Sequence, residues 1–155
     1  MATFEELYRK LVKESFETNA SPQISPEYDP HHLDCLLYPE KYGSVIHIGK
    51  CECPTDGPAK CSESCIFDAI TKGEDGVIRI DKEKCVGCYA CIDNCDSKKL
   101  TASRDILPAL DAIRKAKGPV YALIAPAFLG QFSNDVTPGK LRTAFKKLGF
   151  DGMIE

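Results

Sequence analysis

Residues 3–17 place Phe4, Leu7, Tyr8, Leu11 and Val12 on one face at helical spacing, with charged residues between them. Thr3 followed by Glu6 has the form of a capping box, so this stretch predicts an amphipathic helix whose apolar stripe covers a core. From 18 to 43 that periodicity stops. Pro, Ser and Asn are frequent there, and an extended linker crossing the surface is expected. Two short alternating stretches follow, "SVIHIGKC" at 44–51 and "GVIRIDKEKC" at 76–85, each predicting a strand that leads into a cysteine. Between them "IFDAI" at 66–70 suits one helical turn crossing back, and "KGEDG" at 72–76 suits a tight reversal.

The pattern changes again beyond residue 103. "PALDAIRKAKG" at 108–118 predicts a helix, with Pro108 in its first turn and Gly118 as its stop. "PVYALIAP" at 119–126 is almost continuously apolar, as in a strand buried on both faces. "TPGKLRTAFKKLG" at 137–149 predicts a second helix with Thr137 as N-cap and Pro138 at its first position. Leu141, Ala144, Phe145 and Leu148 form its expected buried stripe. "FDGMIE" at 150–155 then starts another strand, and strand–helix–strand implies a right-handed parallel unit. One such unit cannot cover its own sheet, so "VYALIA" is expected to need further strands. These come either from a longer chain, the favoured reading, or from a second subunit. The pattern thus divides the chain into a helix and linker at 1–43, a repeated strand and cysteine-loop domain at 44–103, and the beginning of an incomplete α/β domain at 104–155.

Composition narrows the chemistry. The 155 residues carry a formal net charge of −3 with both signs interspersed, which gives no basic footprint for nucleic acid. The N-terminus has no apolar signal-peptide core. The longest apolar stretch, 118–130, is too short for a membrane span and contains two prolines. A cytoplasmic, reduced setting is expected, in which nine cysteines signify metal binding rather than disulfides.

Four of those cysteines, 85, 88, 91 and 95, follow the spacing C-x2-C-x2-C-x3-C. Four more, 51, 53, 61 and 65, stand upstream, and the step Cys61-x3-Cys65 repeats Cys91-x3-Cys95. The first steps differ, because "PTDGPAK" at 54–60 expands the loop with two prolines and a glycine. With the repeated flanking strands, this is an internal duplication of strand, cysteine loop and short helix. Zinc is the alternative metal, but zinc ribbons present separated C-x2-C knuckles. Three thiols at steps of three on one tight loop wrap the corners of a cube better than a single ion. Val86, Gly87, Tyr89, Ala90 and Ile92, between the cysteines, would let backbone N–H groups approach sulfide and keep water away.

The second run is similar to that with which bacterial ferredoxins hold cubane iron–sulfur clusters, where the fourth cysteine serves the other cluster. That resemblance implies an α+β ferredoxin-like module with two [4Fe–4S] clusters. Cys51, Cys53, Cys61 and Cys95 would hold one, and Cys85, Cys88, Cys91 and Cys65 the other. Neither Cys65 nor Cys95 is followed by the proline usual in ferredoxins; Ile66 and Asp96 stand there. Cys35 reads as a small buried or surface thiol. His31 and His32 read as solvated loop, and His47 as a surface position opposite Arg79 of the repeat.

The module followed by "ALIAPAFLGQF…GKLRTAFKKLGFDGMIE" resembles the front part of [FeFe]-hydrogenase large-subunit-like proteins over about residues 44 to 155. What the resemblance implies is an electron-transfer module relaying electrons between a ferredoxin-type carrier and an H-cluster domain whose ligands lie outside this sequence. A non-catalytic carrier, a sensory hydrogenase-like protein or an iron–sulfur assembly relative is the alternative. No residue of this sequence receives a hydrogen-cleaving role under any of these readings.

Overall fold

The computed structural model describes residues 2–53, 57–73, 75, 77–128, 131–133 and 135–155, and its elements are mixed α and β. Helix α1 (Phe4–Thr18) forms as its periodicity predicts. The Thr3 hydroxyl accepts from the Glu6 N–H, while the Glu6 carboxylate accepts from the Thr3 N–H at 2.8 Å. Two of the unpaired donors at the helix start are thereby satisfied. Phe4, Leu7 and Leu11 are buried against Cys35, Leu36, Ile46 and Leu107, which together make a helical core.

The expected linker is different. Pro30–Leu37 forms helix α2, followed by a 3-10 turn at Pro39–Lys41. Asp29 caps α2 by accepting from the N–H groups of His31 and His32 at 2.9 and 3.0 Å, and Pro30 occupies the first helical position. The apolar Cys35 and Leu36 then bury completely, so this segment is part of the core and not a crossing strap.

The duplicated region folds as two interleaved halves. Strand β1 (Val45–His47) leads to the first cysteines, helix α3 (Lys60–Glu63) carries Cys61, and β2 (Ile70–Lys72) follows Cys65. The second half repeats this with β3 (Ile78–Ile80), α4 (Ala90–Asp93) carrying Cys91, and β4 (Leu100–Ala102). Each half pairs across to the other: β1 runs antiparallel to β4, and β2 antiparallel to β3. The helical turn expected at 66–70 lies earlier, at Lys60–Glu63. Asp68 adopts a left-handed φ of 49° and turns the chain directly into β2.

The register also corrects the alignment of the repeat. His47 pairs with Leu100 and Ile80 with Ile70, and Leu100 and Ile70 each stand five residues beyond the last cysteine of their run. His47 is therefore the counterpart of Ile80, not of Arg79, and it is half-buried rather than on the surface. Strand alternation gives β1 two roles. Val45 enters a core made of Ile70, Ile78, Leu100 and cysteines, while Ile46 on the opposite face enters the helical core.

Helix α5 (Ile106–Lys115) begins two residues before Pro108. The proline sits in the first turn, where its missing N–H costs no helical hydrogen bond. Leu107 and Leu110 are buried, and Arg114 reaches the end of α1, donating to the Ser15 carbonyl at 2.6 Å and the Ser15 hydroxyl at 2.9 Å. A cation there complements the negative end of the helix dipole. Beyond it, β5 (Tyr121–Leu123) pairs in parallel with β6 (Gly152–Ile154) across helix α6 (Pro138–Lys147). Thr137 caps α6 as expected. Burial is slighter than the apolar run suggests. Only Ala122 of β5 is buried, Leu123 is 81% exposed, and Leu141, Phe145 and Leu148 are half-buried with Ala144 exposed.

Candidate metal centre

Cys61 and Cys91 each occupy the second position of a one-turn helix, α3 and α4, and are buried there. Four residues on, Cys65 and Cys95 repeat one another bond for bond. The Cys65 N–H donates to the Ser62 carbonyl at 3.1 Å, and that of Cys95 to the Ile92 carbonyl at 3.2 Å. Asp68 and Lys98, three residues further, take φ of 49° and 53°. Such a conformation costs side-chain-bearing residues roughly 1 kcal/mol or more, so its recurrence at equivalent places reflects a local requirement. The turn aims the next amides at sulfur: the Ala69 N–H lies 3.4 Å from Cys65 Sγ, and the Lys99 N–H 3.3 Å from Cys95 Sγ.

The loop before Cys91 is similarly constrained. Gly87 and Tyr89 have φ of 69° and 64°, and a Cβ on Gly87 would lie 3.0 Å from the Ser44 Cβ. Positions 54–56 of the expected bulge at 54–60 lie outside the described residues, as do positions 74 and 76 of the expected reversal.

These turns gather the eight thiols around two cavities. Cys51, Cys53, Cys61 and Cys95 line one, with Lys60 and Asp96 at its rim. Cys65, Cys85, Cys88 and Cys91 line the other, among Val45, Phe67 and Ile80. In each group three thiols come from the nearer run and one from the farther. Among the described residues no three His, Cys, Asp or Glu side chains sit close enough to hold a single metal ion. The Lys60 ammonium meets Asp96 at 2.9 Å across the halves, an exposed pair that adds little stability.

Proximity and burial govern the thiols. Burial pushes Cys61 up to about 11, with Cys95, Cys51 and Cys53 adding to the effect. Cys51 is raised chiefly by burial against a hydrogen bond from Ser97, and Cys91 by burial with Cys85 beside it. Cys95 moves the other way. Burial raises it, but the Ser97 hydroxyl and the N–H groups of Lys99, Leu100 and Lys98 outweigh burial and hold it below the usual thiol range.

Two polar side chains at the first cavity escape sequence reasoning. His47 Nε2 lies 3.1 Å from Cys51 Sγ, and Ser97 Oγ 3.6 Å from Cys95 Sγ. Burial and the nearby His31 and Lys99 lower the His47 imidazole below its ordinary value. His31 and His32 belong to α2 and not to a solvated loop; their Nε2 atoms meet the carbonyls of His47 at 2.7 Å and Ile48 at 2.9 Å. The signal for that helix is present in "YDPHHLDCLL", an Asp cap followed by Pro. Cys35 stays with the helical core, its thiol pushed up to about 11 by burial. Among the described residues no helix is long and apolar enough to cross a membrane.

No family model matches the chain. Over 45 residues, 29% of the chain, it is 42% identical to a component of the Na(+)-translocating ferredoxin:NAD(+) oxidoreductase complex of Acetobacterium woodii. Over 89 residues, 57% of the chain, it is 29% identical to a selenate reductase subunit of Mesobacillus selenatarsenatis. Over 53 residues, 34% of the chain, it is 40% identical to a tetrathionate reductase subunit of Archaeoglobus fulgidus. These matches span 14%, 23% and 25% of the respective relatives, and none of the three is named as a hydrogenase. Over those stretches the chain is similar to subunits of multi-subunit redox enzymes.

Proposed function

We propose that this chain is an iron–sulfur electron-transfer module of ferredoxin-like architecture, holding two [4Fe–4S] clusters on the two sets of four cysteines. The observation that carries the reading is the interleaving of thiols, Cys95 with Cys51, Cys53 and Cys61, and Cys65 with Cys85, Cys88 and Cys91. The donor set fits the group. Each cavity offers four soft sulfur donors, as a cubane requires, and amide N–H groups already point at Cys65 and Cys95 sulfur. Rings of thiols spread around a cavity suit a cube of metal and sulfide better than one tetrahedral zinc ion. When bound, each cluster supplies a one-electron couple, within a range of about a volt across such centres.

The chain's own residues supply the frame. The left-handed turns at Asp68 and Lys98 fix the two crossing cysteines, so little rearrangement accompanies a change of charge. Val45, Phe67, Ile70 and Ile80 give the second cavity an apolar lining. The similarity to subunits of redox complexes supports a relay that works beside a catalytic partner.

The finer reading is that the partner is an [FeFe]-hydrogenase-type H-cluster domain, supplied with electrons by a ferredoxin-type carrier. Its support is the resemblance of "ALIAPAFLGQF" and "GKLRTAFKKLGFDGMIE". Positions 129 and 130 of the first segment lie outside the described residues. The parallel β5–α6–β6 unit is compatible with the opening of a catalytic α/β domain. Relay service in another oxidoreductase is the second reading, favoured by the redox-enzyme subunits to which the chain is similar.

Anaerobic purification with iron and sulfide analysis, followed by paramagnetic resonance of the reduced protein, tests the relay. Two cubane signals are expected, with reversible reduction and no hydrogen-dependent dye reduction by these 155 residues. Colourless protein with stoichiometric zinc, or protein linked by cystines, would overturn it.

A further inference from the structure

The two halves of the duplicated region are built to one plan, so side chains at equivalent positions can be compared directly. Two of those positions change from apolar to hydrogen-bonding. In strand register, Ile80 of β3 corresponds to His47 of β1, because each pairs with the residue five beyond the crossing cysteine. In the turns, Phe67 stands two residues after Cys65, and Ser97 two residues after Cys95. Ile80 and Phe67 both line the cavity of Cys65, Cys85, Cys88 and Cys91. Their counterparts approach sulfur at the other cavity, His47 Nε2 at 3.1 Å from Cys51 and Ser97 Oγ at 3.6 Å from Cys95.

A thiolate bound to iron carries no proton. It can only accept a hydrogen bond, so the imidazole must present Nε2–H and the serine its O–H. The N–H bond from the fourth residue after each crossing cysteine does not distinguish the halves, since Ala69 donates to Cys65 as Lys99 does to Cys95. The unequal pair of side chains does. Donors to ligand sulfur withdraw negative charge and favour the reduced form, and hydrogen bonds to sulfur are among the main determinants of cluster potential.

Building on the two-cluster reading above, we infer that His47 and Ser97 act through Cys51 and Cys95 to raise the potential of the first site above that of the second. The chain then holds an added electron preferentially at the Cys51, Cys53, Cys61 and Cys95 end. His31 contributes by holding the β1 backbone, its Nε2 2.7 Å from the His47 carbonyl. Exposure of Cys88 at the second site opposes the difference. Comparing variants at the first site alone separates the hydrogen bonds from that exposure.

The test is a redox titration of the full chain carrying both clusters, with dithionite as reductant, followed by paramagnetic resonance. Cys53→Ser and Cys88→Ser assign the signals to the two sites. In the unaltered chain the first site is expected to be reduced first. His47→Ile, which installs the residue of the other half, should lower the first couple alone. The expected shift is about tenfold in the electron distribution between sites, equivalent to about 59 mV for a one-electron couple. Ser97→Ala should shift the same couple less, and His47→Gln, which keeps a side-chain N–H donor, should restore part of the loss. Equal potentials in the unaltered chain, an unchanged couple in His47→Ile, or equal shifts in both couples would overturn the inference. If His47→Ile fails to load, proton double resonance of the unaltered chain in H2O and D2O decides. An exchangeable imidazole proton coupled only to the first site supports the assignment, and its absence overturns it. Failure of the unaltered chain to bind iron and sulfide would instead strike the relay reading itself.

Discussion

At the residue scale the crossing cysteines separate two assignments that chain proximity alone would confuse. Cys95 follows directly on the second run but lies with Cys51, Cys53 and Cys61, while Cys65 lies with the second run. Cys95→Ser is therefore expected to perturb mainly the site nested in the first run, and Cys65→Ser mainly the other, as read by resonance of each site. Loss of the local site in either variant would refute the crossed arrangement. Gly87 carries a different constraint, a φ of 69° with the Ser44 Cβ 3.0 Å from where its own would stand. Gly87→Ala should cost about 1–3 kcal/mol, measured as a lower melting temperature of the iron-loaded protein. The buried Cys35 thiol, raised to about 11, gives a pH signature. Its neutral form is favoured by folding, so its stabilisation is complete below the unfolded value of about 8.5 and is lost as pH rises towards 11. Cys35→Ala should flatten that alkaline loss in a denaturant series run at increasing pH. An equally steep decline in the variant would place the titration elsewhere.

At the element scale, legibility follows the length and regularity of the pattern. Helix α1 is readable because five apolar residues recur over about two and a half turns behind a complete capping box. Helix α2 has eight residues, too few for a period to emerge, and surrounding prolines and serines disguise it. Its start is still written in Asp29-Pro30. The apolar content of "IFDAI" suggests a helix, but the left-handed Asp68 redirects it, a backbone state that composition does not announce. His47 escapes for a related reason: aligning the repeat by letters shifts the register by one residue, which exchanges the two faces of a strand. For α2 the anchors are electrostatic. Asp29 is lowered chiefly by the His32 N–H, and Asp34 by hydrogen bonds from Lys41 and Tyr42. Both carboxyls therefore stabilise the fold above the unfolded value of about 3.9, and that contribution fades as pH falls through their lower folded values. Asp29→Ala should cost about 1 kcal/mol at neutral pH through loss of the cap and reduce the acid sensitivity, checked by denaturant unfolding at neutral and acid pH.

At the scale of the whole molecule, two cores meet on one strand, and the proposed clusters would support them to different degrees. The helical core is aliphatic and aromatic, with Phe4, Leu7, Leu11, Leu36, Ile46 and Leu107 closed together by α1, α2 and α5. The other core is filled largely by thiols. Cys61, Cys91 and Cys95 are buried within it and Cys51, Cys65 and Cys85 pack against it, around strands of three residues each. Strands this short bury little apolar area, and unligated buried thiols add no bonds to offset the entropy of ordering four loops. Metal binding is coupled to folding in such a module. Stripping the iron with a chelator should therefore abolish hydrogen-exchange protection in β2 and β3, which among the described residues pair only with each other. Protection in α1 and α5 should persist, because Arg114 and the aliphatic stripe join them without any cysteine but Cys35. Strand β1 should behave in between, since Ile46 remains anchored after Val45 has lost its surroundings. Exchange mass spectrometry of loaded and stripped protein reads all three. Simultaneous loss in α1 and β3 would mean that the two cores unfold as one unit, and equal retention would mean that the cysteine core stands without metal.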